Sequence, residues 1–182
     1  GCEGIDYRSL LVARAADNAR SLADFRGRRA ICNSPDSQSG YNVLLKMVAP
    51  LAREGRFFAG VNFSGSHRQS LLGLQQGTGD MAAIDCVSWA LLARHEPAVL
   101  EGLCVIGQTP SAPGLPLITG PQTSAQTLAG LRSALRQLVS DARYRERCEA
   151  QFICGFSPVT REPYSRLLAW REEARQQGVT QL

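Results

Sequence analysis

Lysine is almost missing from this chain, since of its 20 basic residues only Lys46 is not arginine. The formal charge of +4 divides by thirds as +3, −2 and +3, so no block of positive charge marks nucleic acid as a partner. The arginine bias reads as genome composition rather than a phosphate-rich partner. Histidine is scarce, with only His67 and His95. The six cysteines include no C-x-x-C pair, so no zinc or redox motif is present and no metal is expected. Long apolar runs are also lacking. A membrane-spanning helix needs about 18 consecutive apolar residues, and even the segment VSWALLARH is interrupted by Arg94. The opening residues GCEGIDYRSL have neither a charged n-region nor an apolar h-region, so no signal peptide is read there. Dinucleotide, Walker, H-E-x-x-H and G-x-S-x-G motifs are absent too.

What is present is an ordinary globular balance, 44% hydrophobic and 20% charged, with apolar mass for one sizeable core or two small lobes. Short apolar runs alternate with helical stripes, the pattern of βα units around a mostly parallel sheet flanked by helices. Tyr7 to Arg14 reads as a strand, SLADFRG as a helical turn ending at Gly27, and RRAIC as a second strand. The loop NSPDSQ leads into a helix from Ser39 to Arg53, whose apolar positions share one face. VNFSG, DMAAID and GLCVIGQT read as strands, with helices SHRQSLLGLQQG and CVSWALLARH between them. PSAPGLPLITG, with three prolines, suits a connection between lobes. Beyond it a helical tail follows, with Ser124 as an N-cap and Asp141 and Glu162 opening two more helices. Cys32, Cys86 and Cys104 fit as small buried hydrophobes, while Cys148 and Cys154 are close enough in sequence to bridge.

Three strand-to-helix turns carry polar residues. The first, NSPDSQSGY, places Ser37, Gln38, Ser39 and Gly40 at a helix start, where unpartnered backbone N–H groups and the helix dipole attract an anion. Plain N-capping by Ser37 or Ser39 explains the same residues. The second turn, FSGSHRQS, brings His67 to a helix start, and the third places Asp85 at a strand end; capping accounts for these as well. His95, at a helix C-terminus, reads as structural. Consecutive turns of this kind line the edge of a sheet where ligands bind. A nucleophilic Cys86 activated by His67 is disfavoured, because the charge of Asp85 opposes thiolate formation. No base and nucleophile for a serine hydrolase stand out in the sequence.

At these residues the chain resembles the phosphate/phosphite/phosphonate solute-binding proteins of ABC importers. The matching segments run in order: SLADFRGRRA, NSPDSQSGY, FSGSHRQSLLGLQQGTGDMAAID and PSAPGLPLITG, together covering roughly residues 5 to 170. The resemblance implies a type II periplasmic-binding-protein fold, a binding role and no enzyme activity. It divides the chain into 1–21 as a crossing strand and lead-in from lobe 1, 22–109 as a complete α/β lobe 2, and 110–182 as the hinge return and C-terminal helices of lobe 1.

In such proteins two lobes close on a small oxyanion. The resemblance implies that Ser37, Gln38, Ser39 and Gly40 hold its oxygens and that His67 adds a donor. Asp85 would accept from a protonated ligand oxygen or brace a neighbour, and Tyr7 would reach the cleft. No cofactor is implied. The partners would be the oxyanion and an ABC permease, in the periplasm, with no nucleic acid. A ligand-sensing module of the same fold is the alternative function. Gln38 stands where the family usually has a small hydroxyl residue. The return PGLPL lacks the carboxylate expected of aminophosphonate binders, which disfavours an ammonium-bearing ligand. The opening strand-helix-strand stretch of the first lobe is expected to be missing, so that the chain binds its ligand poorly alone and covers the incomplete lobe as a homodimer.

Overall fold

A computed structural model describes residues 2–182. The strands are β1 (Asp6–Tyr7), β2 (Ser9–Arg14), β3 (Arg29–Cys32), β4 (Gly60–Phe63), β5 (Met81–Asp85), β6 (Leu103–Gln108) and β7 (Ala112–Pro113). The helices are α1 (Val43–Val48), α2 (His67–Gln75), α3 (Cys86–His95), α4 (Ala125–Ser140), α5 (Arg145–Ala150) and α6 (Glu162–Gln176). β1 pairs with β7, and the main sheet runs in the order β4-β3-β5-β2-β6. β3 is parallel to β4 and to β5, while β2 is antiparallel to β5 and β6. Four of the five strands therefore share one direction, and the four segments RRAIC, VNFSG, DMAAI and GLCVIG each supply one of them.

The two faces of the sheet follow from side-chain alternation along each strand. Leu11, Ala13, Ala30, Cys32, Met81 and Ala83 bury one face, against Phe25, Leu44 and Val48. Val12, Ile31, Ala82 and Ile84 bury the other, against Leu71, Leu74 and Val99. Both faces are covered, which is why β5 is buried at all five positions. The edge strands β4 and β6 are only partly buried.

The stretch read as one helix from Ser39 to Arg53 is built in three pieces: a π-helical turn at Gln38–Asn42, α1, and a 3-10 turn at Ala49–Leu51. Asn42 N–H reaches back to Ser37 O at 2.9 Å, the wide spacing of that π turn. Pro50 forces the final turn, since it has no N–H to continue an α-helix.

β2 lies inside the main sheet, with neighbours on both sides. α6 packs on α1, with Ala174 and Val179 against Leu45 and Ala49, and Trp170 against Val43 and Ala112. Those apolar side chains need a partner, and the outer side of α1 supplies it. The compact units are accordingly Gly1–Pro113 with Glu162–Leu182, and Gly114–Arg161. The second unit holds α4, capped by Ser124 as expected, and α5, which buries Cys148. Leu115, Leu117 and Ile118 there are exposed. Cys148 and Cys154 are free thiols rather than a bridge. Cys32 is fully buried, but Cys86 and Cys104 are only half-buried. No helix among the described residues is long and apolar enough to cross a membrane.

Candidate functional site

The three polar turns meet. Ser39 Oγ lies 2.9 Å from His67 Nε2, and His67 Nε2 lies 3.3 Å from Asp85 Oδ2. Each residue is delivered by a strand end: Ser39 by the turn after β3, His67 by the first turn of α2 after β4, and Asp85 by the last position of β5. The Tyr7 hydroxyl is within hydrogen-bonding reach of Ser39. His67, Asp85, Ser39 and Tyr7 thus form one connected polar cluster at the edge of the sheet.

Capping fixes these positions locally. The Asp85 Oδ1 accepts from the N–H groups of Val87 and Ser88 at 3.0 and 2.8 Å, which seats α3 and leaves Oδ2 facing His67. Ser66 caps α2, so His67 is its first residue. The Ser37 hydroxyl accepts from Gly40 N–H at 3.0 Å, so Ser37 is the cap of the π turn. Gly40 is buried there, and a methyl group on it would overlap Asn33 Oδ1. Only glycine leaves room for that side chain. Gln38 takes a hydrogen bond on its Oε1 from Asn42 at 2.6 Å, while its Nε2 is buried and without a partner.

The electrostatics set the protonation states. Burial holds the His67 imidazole below its ordinary range, against the opposing pull of Asp85. The ring is therefore neutral near pH 7. Its proton belongs on Nε2, because a lone pair there would face the Asp85 oxygen; Nδ1 is then a buried acceptor with no partner. Burial pushes the Tyr7 phenol up, opposed by its contact with Ser39 and reinforced by Asp85 and Cys86. It stays a phenol, able to donate. Burial likewise raises the Cys86 thiol, with Cys2 and Asp85 adding to the effect, so the thiol form dominates and Cys86 is not an activated catalytic nucleophile.

A serine, a histidine and an aspartate in contact invite comparison with a hydrolytic triad. Here both Ser39 and Asp85 meet the same ring nitrogen, whereas a triad base takes the serine proton on one nitrogen and is oriented through the other. The proton on Nε2 already points at Ser39 and Asp85, so His67 cannot accept one there. What the arrangement does instead is keep the Ser39 oxygen occupied as an acceptor, leaving its own O–H to be shared with Tyr7.

Next to Ser39 is a small, open cleft, lined in part by Tyr7, Arg8, Ser9, Gln38, Ser39 and Thr109. Of the residues singled out in the sequence, Tyr7, Gln38 and Ser39 line it. Ser37 and Gly40 shape the turn at its wall, and His67 and Asp85 stand behind Ser39. Three lining residues escaped the sequence reading. Ser9 Oγ donates to Ser39 O at 2.8 Å, Ser9 N–H donates to Thr109 Oγ1 at 2.9 Å, and Arg8 reaches Gln108 Oε1 at 3.0 Å while its buried Nε has no partner. The signal was available in YRSLLVAR and GQTP: polar residues at the ends of two apolar strands that pair with each other.

The family model for the periplasmic substrate-binding protein of phosphonate ABC transporters matches residues 3–164. The chain belongs to that family. Members are solute-binding transport components rather than enzymes, they work with an ABC permease in the periplasm, and they bind small phosphonate ligands. Solved structures agree on the fold. PhnD1 from Prochlorococcus marinus in complex with methylphosphonate is 15% identical, with a TM-score of 0.77 over 94% of this chain and 68% of that one. The binding protein component of an ABC phosphonate transporter from Pseudomonas aeruginosa, PA3383, is 20% identical, with a TM-score of 0.72 over 96% and 68%. XAC2383 from Xanthomonas citri bound to ATP is 19% identical, with a TM-score of 0.70 over 94% and 68%. The chain thus spans about two thirds of the length of these structures. No curated protein matches it. The fold is that of the type II periplasmic binding proteins, as the resemblance implies.

Proposed function

We propose that this phosphonate-family binding protein captures a small phosphate-like oxyanion in the periplasm, held at the turn Ser37–Gly40 with Tyr7 as a further donor and His67 as a brace behind Ser39. The observation that carries this reading is the contact of Ser39 with both Tyr7 and His67 at the start of a helix. Donors converge there: the one O–H that the Ser39–Tyr7 contact leaves free, the unpartnered Gln38 Nε2 and the first N–H groups of the π turn. An oxyanion supplies only acceptors. Asp85 acts as a brace, since one of its oxygens holds α3 and the other holds His67. Gln38, in place of a small hydroxyl residue, offers a longer-reaching amide to an oxygen of the anion.

Calorimetric titration of phosphate, phosphite and methylphosphonate into the wild type and Ser39→Ala tests the proposal. Loss of one hydrogen bond to a charged ligand costs about 1.5–3 kcal/mol, a fall in affinity of roughly 10- to 150-fold. Equal affinities would remove this turn from the site. Light scattering on the same samples decides the homodimer, which a mass of one chain would rule out.

A further inference from the structure

The sulfurs of Cys2 and Cys86 lie 3.5 Å apart, although 84 residues separate them in sequence. Both are free thiols, Cys2 exposed and Cys86 half-buried. Cys86 is the first residue of α3, directly after Asp85, and its N–H donates to Arg8 O at 3.0 Å. Cys2 precedes the turn in which Asp6 N–H donates to Glu3 O, ahead of β1 and Tyr7. The two sulfurs are already in contact and would close to the roughly 2.05 Å of a disulfide. The other two cysteines that are near in sequence behave differently, because Cys148 and Cys154 turn their sulfurs toward the carbonyls of Leu138 and Phe152.

We propose that Cys2 and Cys86 form a disulfide in an oxidising compartment, linking the segment that carries Tyr7 to the helix start that carries Asp85. The oxidant is a disulfide, either of a small thiol or of a protein thiol oxidase. The exposed Cys2 thiolate attacks one sulfur of it, expelling a thiolate and leaving Cys2 in a mixed disulfide. The Cys86 thiolate then attacks Cys2 Sγ and expels the second thiolate. Two thiol protons and two electrons pass to the oxidant, which ends as two thiols. The raised thiol of Cys86 fits the second role better than the first. The periplasmic setting rests on the function proposed above, whereas the pairing itself rests on the contact of the two sulfurs.

The native wild-type protein is incubated with oxidised glutathione, alkylated, digested and mapped by mass spectrometry, with dithiothreitol-treated protein as the reference. The expected result is a linked peptide containing Cys2 and Cys86, two hydrogens lighter than its reduced halves and absent from Cys2→Ser. Closing so long a loop also raises the Tm of the oxidised protein by several degrees over the reduced one. Alkylation of both cysteines, separate glutathione adducts on each, or pairing of Cys86 with another cysteine would each overturn the proposal. Titrating the same oxidised samples with methylphosphonate separates the two readings, because a linked peptide without anion binding sinks the ligand proposal and leaves this one standing.

Discussion

Ser39 Oγ and His67 Nε2, 28 residues apart in sequence, meet at 2.9 Å and join the helix start after β3 to the helix start after β4. The parallel pairing of β3 with β4 makes this contact possible, because the register aligns Cys32 with Phe63 and so brings the two turns out at the same edge. Asp85 arrives through the neighbouring strand β5, which pairs with β3 on its other side. The cluster is a product of the sheet order, and its pH behaviour should report on the fold as a whole.

His67 is held below its ordinary pKa chiefly by burial, so the folded state binds its proton less readily than the unfolded chain does. Its contribution to stability is complete above the unfolded value of about 6.5 and is lost as pH falls through the lower folded value. Urea midpoints for the wild type should therefore drop as pH is lowered below about 6.5. In His67→Gln that part of the pH dependence should vanish. Identical pH profiles for the two proteins would place the titrating group elsewhere.

Gly40 has an ordinary backbone conformation, so its requirement is steric rather than conformational. A Cβ there would overlap Asn33 Oδ1 and crowd Ser37 Oγ at 3.3 Å, both within the turn that positions Ser39. Gly40→Ala should destabilise the protein by about 1–3 kcal/mol through this overpacking and lower anion affinity as well. Gly60→Ala is the control, since a Cβ at that glycine meets nothing within 4 Å. Chemical denaturation of the pair checks the first effect, and titration with methylphosphonate the second.

Much of this site was legible in the sequence because strand-to-helix turns announce themselves by short polar runs between apolar ones. Ser39, His67 and Asp85 each stood out in that way. The order of the strands did not, since hydrophobic alternation says that VNFSG and DMAAID are strands but not that both flank RRAIC. The insertion of β2 between β5 and β6 was hidden for the same reason: an apolar strand looks alike whether it crosses away from a sheet or lies inside it. The return of α6 onto α1 was hidden as well. Trp170 and Ala174 form only a sparse apolar stripe on a strongly charged helix, and their partners Val43 and Leu45 are more than 120 residues earlier. The π turn was illegible too, because nothing in the residue pattern NSPDSQSGY marks its wider hydrogen-bond spacing.

Asp85 is predicted to serve two separable roles. Asp85→Ala removes the cap of α3 and should cost about 0.5–2 kcal/mol of stability, since Val87 and Ser88 lose their acceptor. Asp85→Asn keeps a capping oxygen and should cost little. It also removes the charge that raises the His67 pKa, so the imidazole should titrate at still lower pH than in the wild type. An NMR titration of His67 in the wild type and in Asp85→Asn measures this. An unchanged or higher His67 pKa in Asp85→Asn would show that Asp85 does not act on the ring.

Arg14, at the end of β2, should matter more to stability than any ion pair on the surface. Its guanidinium donates to Leu74 O at 3.0 Å, to Gly79 O at 2.6 Å and to Asp80 Oδ1 at 3.0 Å, and it also pairs with Asp17. The two carbonyls belong to the end of α2 and the turn that leads into β5. That turn is tight, because Gly79 packs against Ile31 and Asp80 exchanges hydrogen bonds with the backbone of Arg29. Arg14 thus ties an interior strand to the connection that sets the register of its neighbour. Arg14→Ala leaves two carbonyls and a carboxylate without this donor and should cost about 1.5–3 kcal/mol. Arg14→Lys should recover only part of the loss, since one ammonium cannot reproduce the fork of contacts. The exposed pair Arg68 and Glu96 provides the contrast, and Arg68→Ala should leave the urea midpoint unchanged. High salt should weaken the contact of Arg14 with Asp17 but not its bonds to the carbonyls. A wild-type advantage over Arg14→Ala that disappeared in high salt would show that the charge pairs, and not the carbonyl contacts, hold this corner of the sheet.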